Sequence, residues 1–250
     1  MSLRLERSET ETGWVAAAAA LWIERLRANR RLRMCLPAGL TPVRLYAAMI
    51  QAVKEGRVSF AEAEVFLLDE FGGLAPDDPG RCENMLRRFL LDHIDVPAER
   101  VHVPDVDAPD AATTCAEFQR RIGDGLDLVI LGLGGNGHVG MNEPGTPPDA
   151  PTHRAALHAE TVTASARYLA HDRFPTWGVT VGLGPLLAGR EVWLLANGAS
   201  KAKVVRRIRE EPPGVESPAS WFSRHPNCRL FLDAAAAGED AGSVETASSG

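Results

Sequence analysis

The residues best placed by type and spacing to do chemistry lie in a glycine-rich run, Gly132-Leu133-Gly134-Gly135-Asn136-Gly137-His138-Val139-Gly140-Met141-Asn142-Glu143. His138 is followed five residues later by Glu143, a spacing that suits a general acid or base steered by a carboxylate. Asp69-Glu70 closes a short apolar run, where a carboxylate can remove a proton alpha to a carbonyl. Pro37-Ala38-Gly39-Leu40-Thr41-Pro42 leads into a helix and offers backbone N–H groups for an anion. Arg167 and Lys201 are cations able to complete such a site. Singly, each fits a plainer role as well: a loop histidine, a loop-opening acid, a tight turn, a solvated cation. Gly132-x-Gly134-x-x-Gly137 also matches a dinucleotide fingerprint, but His138 and Glu143 follow it instead of a clean helix start, which argues against NAD.

The elements that must position these residues read as alternating strands and helices. Apolar runs at Leu32–Leu36, Glu64–Leu68, Leu126–Leu131, Trp177–Val181, Glu191–Ala196 and Cys228–Leu232 are expected strands. Helices are expected over 13–30, from Thr41 as N-cap and Pro42 as first helical residue to about Glu55, over 83–93, over 111–122 and over 198–209. This alternation predicts an α/β, Rossmann-like, mainly parallel sheet with helices on both faces. Ligands of such sheets bind beyond the carboxyl ends of the strands, where the reactive residues fall. One domain over 1–233 is expected, with the proline-containing segment 144–176 as a lid and 234–250 as an unstructured tail.

Composition narrows the class. A net charge of −6 on 250 residues argues against a bulk nucleic-acid binder, though not against a local cationic pocket. Trp14–Ile23 is about half the length that spans a bilayer, and Met1–Thr12 lacks a secretory core, so no membrane and a cytoplasmic location are expected. Cys35, Cys82, Cys115 and Cys228 form no pair at metal spacing, and the other histidines carry no signal.

In this order and spacing the motifs resemble the glucosamine-6-phosphate deaminase (isomerase) family, in the wider group with 6-phosphogluconolactonases. The stretches that match are Leu36–Pro42, Leu68-Asp69-Glu70-Phe71-x-Gly73-Leu74, Gly132–Pro144, Ala164–Arg167, Thr180–Gly184, Gly198-x-x-Lys201-Ala202 and His225-Pro226. The resemblance implies a sugar-phosphate substrate and neither metal nor cofactor. It further implies that His138 opens the pyranose ring, that Asp69 moves a proton from C2 to C1, and that Asn136 and Glu143 support His138. Substrate contacts would come from Gly39, Leu40, Thr41, Glu70, Gly137, Arg167 and Lys201. A homo-oligomer is left open.

Three positions depart from the family pattern. Asn136 stands where an Asp is usual, Ala38 where Thr or Ser is usual, and Leu40 where a small residue is usual. An amide cannot stabilise imidazolium by charge, and the lost hydroxyl and added bulk predict weaker phosphate binding or a changed substrate. The alternatives are therefore a paralogue for another amino-sugar phosphate and, less favoured by the Asn142-Glu143-Pro144 ending, a lactonase-like hydrolase.

Overall fold

The computed structural model describes residues 3–238 except 124 and 170. The chain begins with strand β1 (Arg4–Ser8), helix α1 (Glu11–Ala28), β2 (Arg33–Leu36) and α2 (Val43–Lys54). It continues through β3 (Glu64–Leu67), β4 (Asp69–Phe71), α3 (Cys82–Phe89), β5 (Val101–His102), α4 (Ala111–Ile122) and β6 (Leu128–Gly132). Then come β7 (His153–Ala156), α5 (Ala159–Ser165), β8 (Trp177–Thr180) and α6 (Leu183–Leu187). The last elements are β9 (Glu191–Ala196), α7 (Ala202–Glu210) and β10 (Cys228–Asp233).

Seven strands form one sheet in the order β1-β10-β9-β6-β2-β3-β5, every pair parallel. Side chains alternate across it, as the two-residue period of a strand requires. Met34, Val65, Leu128, Ile130, Trp193 and Phe231 face one apolar layer with α1 and α2. Cys35, Phe66, Val129, Leu131, Leu194 and Leu232 face the other, with α4, α6 and α7. Burial on both faces explains why these strands read as unbroken apolar runs.

The chain leaves β2 toward β3 and β5, then returns to β6 on the opposite side of β2. Loops following β2 and β6 thus diverge and leave a crevice at their carboxyl ends, the switch point where α/β sheets bind ligands. A second, antiparallel sheet, β4-β8-β7, stands over one side of it. Leu68 is the junction: its N–H bonds Leu36 O at 3.0 Å in the main sheet, and its carbonyl accepts from Val181 N at 2.9 Å in the small one.

Three expectations need correction, and one strand was not expected. Trp177–Thr180 is a strand but belongs to the antiparallel sheet, since apolar content reports burial and not partner direction. The charged segment Arg4–Ser8, for which no strand is expected from the sequence, is an edge strand paired with β10, so one side of it stays polar. Helix α2 starts at Val43, and the Thr41 hydroxyl does not cap it. Ala234–Gly238, expected to open an unstructured tail, form a turn in which Asp233 accepts from Ala236 N and Ala236 is buried. The rest of that tail lies outside the described residues. Among the described residues no helix is long and apolar enough to cross a membrane.

Candidate active site

A cavity of about 540 Å³ occupies the crevice. The loop after β2 contributes Ala38, Gly39, Leu40 and Thr41; the start of β4 contributes Asp69; the loop after β6 contributes Asn136 and His138. Arg167 and Tyr168 reach it from the turn after α5, and Lys201 from the loop after β9. Every cation and acid–base group singled out for the reaction therefore meets in one space, except Glu143, which stands behind it. Among the described residues of the 144–176 segment, only those from Glu160 to Tyr168 line the cavity, while β7 is tied into the small sheet.

Asp69 is deep in the cavity. Withdrawal from water pushes its carboxyl up to about 7, and the neighbouring Glu70 charge adds to the rise. The Cys82 thiol lies against Asp69 and offsets part of the rise by hydrogen bonding to the charged form. A carboxylate poised near neutrality suits proton transfer in both directions.

Glu70, named as a substrate contact, faces away. Successive strand residues point to opposite sides, and its carboxylate accepts from the N–H groups of Phe71 at 2.7 Å, Cys82 at 2.8 Å and Glu83 at 2.8 Å. It anchors the start of α3, whose unpaired N–H groups and dipole favour a negative charge. Gly137 also lies outside the lining: its φ of +91° permits the turn, and a Cβ there would meet Ser217 Oγ at 2.3 Å.

His138 is held by a relay. Glu143 Oε2 accepts from Asn136 Nδ2 at 3.1 Å, which leaves Asn136 Oδ1 to accept from His138 N at 3.0 Å and from Nδ1 at 2.8 Å. Nδ1 therefore carries the proton of the neutral ring, and Nε2 keeps a lone pair for the cavity. Glu143 itself lies 3.8 Å from Nδ1, so its direct grip on His138, expected from the spacing, is replaced by the amide between them. Burial lowers the His138 pKa; Glu143 opposes this, while Lys201 and Arg167 add to it. The loop is further pinned by Asn142 Nδ2, which donates to Val139 O and Val181 O.

Gly134 shows how closely backbone approaches the imidazole. A Cβ at this position would lie 2.3 Å from His138 Nδ1 and 2.4 Å from Cε1. Gly134→Ala is expected to expel the ring from its seat and lower turnover about a hundredfold with little change in thermal midpoint, since a misplacement of 1 Å costs about that factor. Turnover within threefold of the parent would show that the ring position is not critical.

Arg167 Nε donates to Ala164 O at 2.8 Å and its guanidinium stands 5.2 Å from the centre of the Tyr168 ring. Lys201 Nζ donates to Leu133 O at 2.6 Å, and burial with the nearby Arg167 charge lowers its pKa. The Tyr168 hydroxyl stands beside the β2 loop, where a Cβ built at residue 39 would lie 3.4 Å from its oxygen. Leu40 is 49% exposed, so its extra bulk is not packed into the cavity floor. Tyr168, Cys82 and Thr161 line the site without having been singled out from sequence. Adjacency to Arg167 was the one available signal for Tyr168; nothing local marks Cys82.

A model of the family described as glucosamine-6-phosphate isomerases/6-phosphogluconolactonase matches residues 7–231. The chain is 36% identical over 232 residues to a glucosamine-6-phosphate deaminase of Shouchella clausii, covering 92% of each protein. It is 36% identical over 225 residues to a deaminase of the same name from Rhodopirellula baltica, covering 89% of this chain and 90% of that one. A monomeric glucosamine-6-phosphate deaminase superposes with a TM-score of 0.91 at 30% identity, covering 94% of this chain and 99% of the other. The 6-phosphogluconolactonase of Trypanosoma brucei shares the fold, at a TM-score of 0.72 and 21% identity, covering 94% of this chain and 98% of the other. The chain belongs to the glucosamine-6-phosphate isomerase/6-phosphogluconolactonase family.

Proposed function

We propose that this protein is a glucosamine-6-phosphate deaminase, converting glucosamine 6-phosphate and water into fructose 6-phosphate and ammonia. The observation that carries the reading is the meeting of Asp69, with its carboxyl near 7, and a neutral His138 in a cavity that also holds Arg167 and Lys201. The phosphate seats on the cations and on Gly39 and Thr41 of the β2 loop. His138 Nε2 accepts the anomeric hydroxyl proton and passes it to the ring oxygen as the C1–O5 bond breaks and the pyranose opens. Asp69 then removes the C2 proton of the open-chain aldehyde, forming an enolamine, and returns a proton to C1. The resulting C2 imine takes up water and releases ammonia. Each step needs only a positioned base, a positioned acid and a fixed phosphate handle.

The departures at Ala38 and Asn136 bear on efficiency more than on reaction type. Asn136 keeps the imidazole oriented, while its neutrality accords with a ring that works as a proton acceptor. A cytoplasmic enzyme of amino-sugar breakdown is the setting this reading implies. The test is direct: purified protein with millimolar glucosamine 6-phosphate should yield ammonia and fructose 6-phosphate in equal amounts. Activity on another amino-sugar phosphate with none on this one would instead assign the altered loop to a changed substrate.

A further inference from the structure

Tyr168 has no part in the scheme above, yet its hydroxyl stands where a phosphate donor is missing. Ala38 supplies no side-chain hydroxyl to the β2 loop, and the Tyr168 side chain lines the same cavity beside that loop. The hydroxyl is a near neighbour of the loop: a Cβ at residue 39 would come to 3.4 Å from the Tyr168 oxygen.

The segment bearing Tyr168 is fixed from its other side. His171 Nε2 contacts Asp78 Oδ2 at 2.5 Å, and Leu169 packs so tightly on Gly80 that a Cβ at residue 80 would lie 2.4 Å from Leu169 Cδ2. The Tyr168 ring flanks the Arg167 guanidinium, so hydroxyl and cation arrive at the cavity together.

We propose that the Tyr168 hydroxyl is a phosphate ligand of this site, standing in for the hydroxyl that Ala38 lacks. The Tyr168 O–H donates to a phosphate oxygen held between Arg167 and Lys201. This rests on the β2 loop being the phosphate seat, as in the reading above.

Tyr168→Phe removes the donor and keeps the ring. Inorganic phosphate is the probe, its dissociation constant measured by calorimetry on wild type and variant, with KM and kcat for glucosamine 6-phosphate measured alongside. A hydrogen bond to a charged group corresponds to about a tenfold change or more. The expected result is a dissociation constant and a KM both raised about tenfold, with kcat within twofold. Equal phosphate affinity in the two proteins would overturn the proposal. So would tighter binding by the variant, which would make the hydroxyl an obstruction to the phosphate, and so would absence of phosphate binding by wild type. Because the phosphate arm needs no turnover, a wild-type protein that binds phosphate through Tyr168 yet releases no ammonia would sink the deaminase reading alone.

Discussion

Asp69→Asn is expected to lower deamination of glucosamine 6-phosphate by about three orders of magnitude and to abolish exchange of the C2 proton with solvent. General-base groups contribute roughly 10²–10⁴-fold, and an amide of the same shape cannot accept the proton. The phosphate cations and the His138 relay stay in place, so KM should change little. Exchange measured in deuterated buffer isolates the step, and exchange retained by the variant would remove Asp69 from the role of base. In the parent enzyme kcat/KM should fall as pH drops through about 7, where the carboxyl takes up its proton.

The same shift has a consequence for stability. A carboxyl raised from its unfolded value to about 7 binds more protons in the folded than in the unfolded chain between those two values. Stability from this group therefore falls as pH rises through that window, and the penalty is complete above pH 7. Fully expressed, three units would correspond to about 4 kcal/mol. Asp69 faces an open cavity, and solvent there reduces the figure to about 1–2 kcal/mol. The Asn variant should thus be more stable than the parent at pH 8 and indistinguishable from it at pH 4, in denaturant titrations at both pH values. The inactive variant gaining stability at high pH would mark Asp69 as a group held ionised against its environment for the sake of the reaction.

His138→Gln is the second large effect, with an expected loss of about 10²-fold in kcat. Glutamine can keep a donor toward Asn136 Oδ1 but offers no basic lone pair to the cavity. Burial already holds the imidazole below its usual pKa, so the neutral ring predominates at pH 7 and its protonation falls on the acid side of the Asp69 titration. The acid limb near 7 should consequently survive in the His138→Gln enzyme, at lower amplitude. A limb that moved with this substitution would reassign the titration to His138. Activity within threefold of the parent would mean that ring opening is left to solvent.

Much of the architecture was legible in the chain. β2, β3, β6, β9 and β10 are apolar runs because both faces of a parallel sheet are covered, and each fell within about a residue or two of the expected position. Their loops were readable as ligand-facing because glycine, proline and polar residues crowd one end of each strand. β1 escaped notice for the complementary reason. As an edge strand of Arg4, Leu5, Glu6, Arg7 and Ser8, it draws its stability from backbone pairing with β10 and leaves little apolar trace. β8 was legible as a strand but not as a member of the antiparallel sheet, because direction depends on where the preceding segment brings the chain.

At the site, the amino-acid sequence by itself determined which acids, bases and cations are available and that they gather at one end of a parallel sheet. The alternation of a strand also separates the roles of Asp69 and Glu70, since neighbours on β4 must face opposite ways. Tertiary structure alone decided that Glu70 serves the start of α3, that Asn136 stands between Glu143 and His138, and that Tyr168 meets Gly39. The reason is reach. Local pattern encodes burial and backbone geometry over a few residues, whereas a hydroxyl at 168 reaches the loop at residue 39 only after the small sheet and the His171–Asp78 contact have folded its segment over the crevice.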